Sequence, residues 1–290
     1  MRRINNKFKD NIIIVFFIIL LALFFWIIWG NITVQTTKFK ISSDNIPKSF
    51  VGYKIAQISD LHNAELGKNN SRLINILKNE QPDIIAITGD IIDSNHTNVS
   101  TAINFAKEAV KIAPCYYVTG NHEAWIKEDY LKFEHNLIEC GVTVLRNSSV
   151  KLSKGNDYIN LIGIDDPDFS ESSTLFNIED GIISTEIENA CSACEANSYK
   201  ILLSHRPETF DIYASKNIDL ALCGHAHGGQ VRLPFIGGII APNQGLFPKY
   251  DAGVYSEGDT TMVVSRGIGN SIIPIRINNR PEVVIVTLSD

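Results

Sequence analysis

Five of the seven histidines in this 290-residue sequence lie in short polar motifs that follow apolar runs. In chain order the motifs are DLH at 60–62, GDIID at 89–93, GNHE at 120–123, SHR at 204–206 and GHAHGG at 224–229; GDIID contains no histidine. Open α/β sheets bind ligands beyond the carboxyl ends of their strands, so loops at these positions can converge. The pattern therefore predicts one site assembled from five loops.

The side chains in these motifs offer carboxylate, imidazole and amide oxygen donors, and no thiolate. Such a donor set suits Mn²⁺, Zn²⁺ or Fe and disfavours a cysteine-type structural zinc. The groups are too many for one ion but fit two ions that share a bridging carboxylate. A metal pair about 3.5–4 Å apart can clamp the attacking and leaving oxygens of a phosphoryl displacement.

Taken singly, the motifs differ in what they indicate. DLH and GDIID also occur in ordinary strand-to-loop turns, and GNHE is compatible with a solvated polar turn. GHAHGG is more specific, because two histidines flanked by three glycines rarely serve packing, and glycine permits tight turns close to a ligand. All five motifs in order, each after an apolar run, favour a catalytic site over a structural explanation.

In order and spacing the motifs resemble those of the calcineurin-like metallophosphoesterases, over about residues 53–288. The stretch GHAHGGQVRLP at 224–234, together with an apolar N-terminal segment, resembles a bacterial membrane-associated phosphodiesterase branch. The resemblance implies a four-layer α/β/β/α sandwich of two mixed sheets flanked by helices. The resemblance assigns Asp60, His62 and His227 to one metal ion and Asn121, His205 and His225 to the other. Asp90 is the carboxylate that bridges the two ions.

The chemistry expected of such a centre is attack on phosphorus by a metal-activated hydroxide. Two cations lower the pKa of a bridging water far below about 15.7, which gives hydroxide near neutral pH. The resemblance places His122 beside the leaving oxygen, where it can act as a general acid. Arg206 is expected to offset phosphoryl charge together with the metals, and Asp93 to orient His122 or its loop. We expect both metal ions to be Mn²⁺, with Zn²⁺ or Fe as alternatives.

Three further carboxylates near the motifs are harder to interpret. We expect Glu123 to be a solvated loop carboxylate. Asp165 and Asp166 follow a predicted strand, and either approach the site or cap a turn.

The N-terminus predicts a membrane anchor. Residues 12–29 contain no polar side chain, and they span about 27 Å as a helix, close to the ~30 Å hydrocarbon core of a bilayer. The sequence therefore divides into a basic tail at 1–10 and an anchor at 11–30. A cleaved signal sequence and a buried core helix are alternatives, although the segment is long, lacks an A-x-A-like site and has no polar breaks.

The distribution of charge suggests which way the anchor is oriented. Four basic residues precede the span, and three lysines (Lys38, Lys40 and Lys48) follow within about twenty residues. The positive-inside rule then predicts a single-pass protein of the cell membrane with a cytoplasmic N-terminus and an extracytoplasmic catalytic domain.

Composition narrows the class of protein. The net charge is −6, and because residues 1–10 carry +3 while 11–29 are uncharged, the body carries −9. No basic field exists to bind nucleic acid through its phosphates. Five cysteines form no disulfide framework, although Cys191 and Cys194 can pair or bind a metal. With 44% apolar residues the body has an ordinary globular composition,.

The body is expected to begin with a linker at 31–50, followed by the catalytic domain at 51–290. Apolar runs alternate with helical patterns early in this domain, which is typical of layered α/β proteins. Strands are predicted at 54–59, 83–88, 115–119, 142–145, 158–164, 200–204, 220–223, 230–233, 261–265 and 283–288. Helices are predicted at 71–80, 101–113, 130–140, 185–196 and 207–215.

These observations favour an enzyme that hydrolyses a phosphodiester or pyrophosphate bond. The anchor suggests a substrate at the outer membrane face, such as a lipid head group or an envelope polymer. An apolar loop at 237–248 can form a lip against lipid or can simply pack in the core. A serine/threonine-type phosphomonoesterase and a non-catalytic metal-binding module are the alternatives, although a decayed module would have lost a ligand or His122.

Overall fold

The computed structural model describes residues 2–170, 179–195, 197–270 and 274–290. The helices are α1 (Arg2–Ile32), α2 (Ser71–Glu80), α3 (Val99–Ala109), α4 (Asn121–Trp125), α5 (Asp129–Glu139), α6 (Glu179–Cys191) and α7 (Phe210–Ser215). The strands are β1 (Gln35–Ser42), β2 (Lys54–Ile58), β3 (Ile84–Thr88), β4 (Cys115–Val118), β5 (Thr143–Val144), β6 (Ser148–Lys154), β7 (Asp157–Gly163), β8 (Lys200–Leu203), β9 (Leu220–Cys223), β10 (Arg232–Leu233), β11 (Gly237–Gly238), β12 (Ile240–Ala241), β13 (Gly245–Leu246), β14 (Gly253–Glu257), β15 (Thr260–Val264) and β16 (Glu282–Ser289).

Twelve of these strands form two mixed six-stranded sheets. The first has the order β1-β16-β2-β3-β4-β5 and is parallel except where β16 meets β2. The second has the order β14-β15-β9-β8-β7-β6 and is parallel from β15 to β7, with an antiparallel strand at each edge. In each sheet the central strands are parallel, so their carboxyl ends and following loops lie on one edge.

The core divides into three buried layers. Side chains such as Ile55, Leu203 and Val286 fill the space between the two sheets. On the outer face of the first sheet a second layer packs under α2, α3 and α5, and on the outer face of the second sheet a third packs under α6 and α7. The arrangement confirms the predicted four-layer α/β/β/α sandwich of two mixed sheets.

Local sequence explains why these elements form. All five residues of β3 are buried, as expected for a central parallel strand covered on both faces. Helix α2 buries Leu73, Ile74 and Leu77 on one face, the spacing of an amphipathic helix. The bounds of α2 and β9 match the predicted segments, whereas α3 begins and ends earlier than predicted.

The expectation of a plain linker at 31–50 needs correction. Residues 35–42 form β1, which pairs in parallel with β16 at the edge of the first sheet. In this strand Lys38 and Lys40 alternate with Phe39 and Ile41, so one side of the strand packs toward the inter-sheet core. Strands β6 and β14 at the edges of the second sheet were also not predicted, because edge strands carry mixed polar sequences that resemble loops.

The anchor helix lies outside the folded body. Residues Lys9–Ile32 form one helix long and apolar enough to cross a membrane, and its apolar window is not buried. This exposure disfavours the core-helix alternative. Its carboxyl end is attached to the body, because the Asn31 side chain donates to the Arg276 carbonyl at 2.8 Å and accepts from the Arg276 amide at 2.9 Å.

Candidate metal centre

The predicted site residues meet where the two sheets present their carboxyl edges. Backbone hydrogen bonds connect the loops: the Asp60 amide donates to the Gly89 carbonyl at 3.1 Å, and the His62 amide donates to the Asp90 carbonyl at 3.0 Å. In the second sheet the Gly224 amide donates to the His205 carbonyl at 3.2 Å. The loops therefore hold one another in place.

Several of the converging residues adopt strained backbone conformations. Positive φ angles, which cost non-glycine residues ~1–3 kcal/mol each, cluster at functional sites because the surrounding structure enforces them. The residues concerned are Asp60 (51°), His62 (44°), Asp90 (50°), His225 (66°) and His227 (49°).

One group of donors consists of Asp60, His62, Asp90 and His227, all buried. The His62 Nε2 atom lies 3.2 Å from His227 Nε2 and 3.5 Å from Asp90 Oδ2. His227 Nε2 is 3.4 Å from Asp60 Oδ1. Two imidazole nitrogens and two carboxylate oxygens thus face a common centre.

A second buried group consists of Asp90, His205 and His225. His205 Nε2 lies 3.2 Å from Asp90 Oδ2 and 3.1 Å from His225 Nδ1. The other ring nitrogen of His205 donates to the Thr88 carbonyl at 2.8 Å, which leaves Nε2 free to act as a ligand. Asp90 Oδ2 faces both groups and is therefore shared between them.

Asn121 also lies at this edge, as the first residue of α4. Its side chain is buried, and its Oδ1 atom has no hydrogen-bond partner. The next amide, that of His122, donates to Asp90 Oδ1 at 2.9 Å. A buried amide oxygen without a donor is costly unless something else, such as a cation, satisfies it.

The electrostatics of the two groups indicate a shortage of positive charge. Burial raises the pKa of Asp60 to about 6 and lowers that of His62 to about 4. Burial lowers the pKa of His205, but the charge and hydrogen bond of Asp90 outweigh it and raise that pKa to about 10. In the absence of a cation the carboxylates would retain a proton on His205, a site that a metal ion would occupy instead.

Glycines allow the close approach of these loops. A Cβ atom at Gly89 would lie 2.5 Å from His205 Nδ1, and one at Gly224 would lie 2.5 Å from Asp60 Oδ2. Any larger residue at either position would push a donor out of place.

His122 lies beside the first group, with its ring centroid 4.5 Å from that of His62. The Ser94 amide donates to its Nδ1 atom at 3.0 Å. Asp93 Oδ1 lies 3.4 Å from the same atom and also accepts from the Asn95 amide at 2.8 Å. Asp93 thus contacts both His122 and its own loop.

Arg206 is buried and faces a carboxylate. Its Nε and Nη2 atoms donate to Asp166 at 2.6 and 2.8 Å, while Asp168 and Glu208 lie at 3.3 and 3.6 Å. Its Nη1 atom is 3.5 Å from His225 Nε2. We expected Arg206 to contact the phosphate of the substrate, but its guanidinium is already bound by the neighbouring carboxylates.

Two residues near the site were missed by the sequence reasoning. Glu123 is fully buried rather than solvated, and its carboxylate accepts from the Gly120, Asp90 and Ile92 amides at 2.7, 2.8 and 3.2 Å. Arg276 is also buried, with Nη2 3.4 Å from His227 Nδ1. The spacing G-x-x-E across the start of α4 is a helix N-terminus signal that points to Glu123, but no local pattern identifies Arg276.

Two other sets of predicted candidates lie outside the two donor groups. Asp165 pairs with Arg146, with Arg146 Nη2 2.9 Å from Asp165 Oδ2. Cys191 and Cys194 carry free thiols.

These contacts fit a divalent metal centre. The donors are nitrogen and oxygen atoms, they converge in two groups that share Asp90, and the buried Asn121 oxygen lacks a protein donor. Such a set suits borderline and hard divalent ions.

Comparison with known proteins agrees with this interpretation. The family model described as calcineurin-like phosphoesterase matches residues 53–229. The chain is 31% identical over 267 residues to the uncharacterized metallophosphoesterase YkuE of Bacillus subtilis, covering 88% of this chain and 85% of the relative. It is 28% identical to the phosphodiesterase YaeI of Escherichia coli, over 81% of this chain and 82% of that protein.

A further relative is described as a transmembrane protein. The chain is 30% identical to the transmembrane protein with metallophosphoesterase domain of Bos taurus, over 87% of this chain and 56% of that protein. Together with the exposed apolar helix α1, this likeness indicates membrane association.

Proposed function

Since the chain belongs to the calcineurin-like phosphoesterase family, we propose that it hydrolyses a phosphodiester or pyrophosphate bond at a two-metal centre. The chain is a metal-dependent hydrolase of phosphoric esters, and the proposal concerns its substrate, its ion count and the role of each residue. The observation that carries it is the pair of buried donor groups that share Asp90.

The proposed ligand sets follow the two groups. One ion would be held by Asp60, His62 and His227, the other by Asn121, His205 and His225, with Asp90 between them. Two bound cations, for which Mn²⁺ is our first choice, supply Lewis acidity toward phosphoryl oxygens and water. Backbone and side-chain hydrogen bonds among the five loops hold the donors in place.

His122 is proposed to protonate the leaving oxygen. Because the Ser94 amide donates to Nδ1, the proton of the neutral ring resides on Nε2. Nε2 is then the ring atom that would deliver a proton to the leaving oxygen. Asp93, which accepts from the Asn95 amide at 2.8 Å, would be a positioning residue that stabilises the loop from which Ser94 contacts the ring.

Arg206 is proposed to act through His225 rather than on the substrate. Its guanidinium is committed to Asp166, and its remaining Nη1 atom lies next to the outer nitrogen of His225. In this proposal the guanidinium packs against the outer edge of the His225 ring and limits its rotation, so that Nδ1 stays directed at the second donor group.

A lipid-linked or envelope substrate is supported by an apolar lip next to the metal centre. The lip comprises six exposed apolar side chains of residues 233–247: Leu233, Phe235, Ile236, Ile240, Leu246 and Phe247. It is joined to the His227 loop, because the Ile239 amide donates to the Gly229 carbonyl at 3.2 Å and the Phe247 amide to the Ile239 carbonyl at 2.8 Å. Contiguous exposed apolar surface is typical of sites that contact lipid or another protein.

The lip is also connected to the anchor. The Arg232 amide donates to the Ile277 carbonyl at 3.0 Å, and the adjacent Arg276 contacts Asn31 at the end of α1. This continuity supports a catalytic domain held close to the membrane surface. With the N-terminus in the cytoplasm, that surface would be the outer face.

The first test concerns the reaction. Metal-free full-length protein in detergent is supplied with Mn²⁺, Zn²⁺, Fe²⁺ or Mg²⁺ and assayed with bis(4-nitrophenyl) phosphate and with 4-nitrophenyl phosphate. We expect diester hydrolysis, two ions per chain, and loss of both in Asp90→Asn. His135→Asn, which alters an exposed histidine on α5, is the matched control. Monoester hydrolysis alone would favour a phosphomonoesterase, and binding without turnover a non-catalytic module.

The second test concerns the substrate class. A double substitution of the lip, Phe235→Ser with Phe247→Ser, should slow hydrolysis of a lipid-linked phosphodiester in vesicles but not of a soluble diester. Leu131→Ser is the control, because Leu131 is also an exposed apolar side chain but belongs to α5 and not to the lip. Equal rates on the lipid-linked substrate for both variants would argue against the lip.

A further inference from the structure

A cavity of about 120 Å³ lies where the anchor helix meets the catalytic domain. The helix contributes Trp26 and Trp29, and the domain contributes Arg266, Arg276 and Arg280. The Arg280 guanidinium lies 4.6 Å from the centre of the Trp29 ring, a cation–π contact,. It also donates to the Thr33 hydroxyl and to the Val34 carbonyl, each at 3.0 Å. The walls of the cavity are therefore held in place from both sides.

The described arginines of the cavity make few direct contacts with carboxylates. Arg276 donates to the carbonyls of Gly269 and Arg266, and its Nη2 atom lies 3.4 Å from His227 Nδ1. Within the described part of the chain, neither Arg276 nor Arg280 forms a salt bridge with a carboxylate. The Nε atom of Arg266 is buried without a hydrogen-bond partner and lies 3.7 Å from Glu282. Among the described residues, the three guanidinium groups thus have one salt-bridging carboxylate, that of Glu282 beside Arg266, inside a body of strongly negative net charge.

Like charges gathered at a partly buried site are unfavourable unless a counter-charge neutralises them. Arginine is the side chain best suited to phosphate, because its planar donors bind phosphate oxygens in pairs. The volume is about four times the ~30 Å³ that a water molecule occupies in the liquid. This is room for a phosphate group and too little for acyl chains.

The cavity also lies at a defined depth. The apolar run of α1 ends at Trp29, so a helix that crosses the hydrocarbon core places Trp26 and Trp29 at the interface with the head groups. The helix surface below the cavity is apolar and exposed, which is where the acyl chains of a bound lipid would lie.

We propose that this cavity binds the phosphate of an anionic phospholipid of the membrane that α1 spans. The site is separate from the metal centre, although Arg276 touches both, since its Nη2 atom lies 3.4 Å from His227 Nδ1. The phosphate of a bound lipid would neutralise part of the positive charge of the three arginines and hold the domain against the bilayer. The proposal requires that α1 is a membrane anchor, and it does not depend on the substrate of the enzyme.

Native mass spectrometry of the full-length protein in detergent tests the site. The probes are phosphatidylglycerol, phosphatidylcholine and inorganic phosphate. We expect one phosphatidylglycerol to bind in preference to phosphatidylcholine, whose choline the arginines repel. Binding should weaken at least about tenfold in Arg266→Gln and in Arg280→Gln, the loss expected for one charge-assisted contact. Lys151→Gln removes the same charge from an exposed position on β6 and should bind like the wild type.

Unchanged lipid affinity in both arginine variants would overturn the proposal, as would inorganic phosphate binding more tightly than the lipid. Circular dichroism and the melting temperature establish that the variants are folded. A measurement on the unmutated chain complements them: a phosphatidylglycerol with a photoreactive head group should label the segment 266–280, and unlabelled lipid should compete. Labelling spread evenly along the exposed surface would contradict the site.

Discussion

Replacing Arg206 by methionine should destabilise the protein far more than a surface substitution would. Arg206 and Asp166 are both almost completely buried and are joined by two short hydrogen bonds. Removing one partner of a buried pair leaves the other charge uncompensated, which costs ~3–5 kcal/mol. A domain of this size loses roughly 2–4 °C of melting temperature per kcal/mol, so the expected decrease is roughly 6–20 °C.

Replacing the partner, Asp166, should destabilise the protein less. In Asp166→Asn the guanidinium still has Asp168 and Glu208 within 3.3 and 3.6 Å, whereas in Arg206→Met the Asp166 carboxylate keeps no cation within the described pairs. The double variant Arg206→Met with Asp166→Leu removes both charges and should recover at least half of the lost stability. Thermal unfolding of the four full-length proteins in detergent measures this order.

Kinetics distinguish a positioning role from substrate contact. If Arg206 acts through His225, both single variants should lower kcat for a phosphodiester in similar proportion and leave KM unchanged. If Arg206 bound the substrate phosphate, Arg206→Met would raise KM, and Asp166→Asn would not. A raised KM at an unchanged melting temperature would refute the positioning argument.

Three further predictions follow from single contacts. Gly267→Ala should weaken metal binding, measured by metal titration, at least about tenfold, because the new Cβ would lie 2.7 Å from Asp60 Cβ,. Gly258→Ala is the control and should leave metal binding unchanged, because Gly258 has a similar φ and open space around it. His122→Asn should lower kcat ~10²–10⁴-fold for an alkyl leaving group and less for 4-nitrophenolate, which needs no proton; equal losses would contradict the general-acid role. Burial and the nearby Asp165 raise the pKa of Glu186 from 4.5 to about 8. The folded protein therefore loses stability as the pH rises from about 4.5 through about 8, because Glu186 is then deprotonated. Glu186→Gln should melt a few °C above the wild type at pH 9 and at almost the same temperature at pH 4. A difference in melting temperature that does not change with pH would exclude this linkage.

The sequence predicted the site better than it predicted the sheet edges. Each motif follows a strand in the central, parallel part of a sheet, so a local signal marks both the strand end and the donor behind it. His205 and His225 approach within 3.1 Å for this reason, although twenty residues separate them. Local sequence thus determines the position of every motif, and the topology brings them together.

The parts that sequence reasoning missed depend on distant partners. Strand β1 becomes a strand because β16, more than two hundred residues away, offers it an edge. Glu123 is buried because the amides of three separate positions point into one space. Arg276 packs against the metal centre through a segment without any motif. A single sequence shows the residue type at each of these positions but not the neighbour that gives it a role.

The arginines around the centre explain why metal ions rather than protein cations neutralise its carboxylates. Arg206 is directed to Asp166, and Arg276 donates to the carbonyls of Gly269 and Arg266. Within the described part of the chain, neither guanidinium pairs with Asp60 or Asp90. A guanidinium bound to Asp90 would satisfy the carboxylate permanently and occupy the position of an ion. Because these cations are held away, the charge of Asp60 and Asp90 remains available, and metal binding becomes the favourable way to neutralise it.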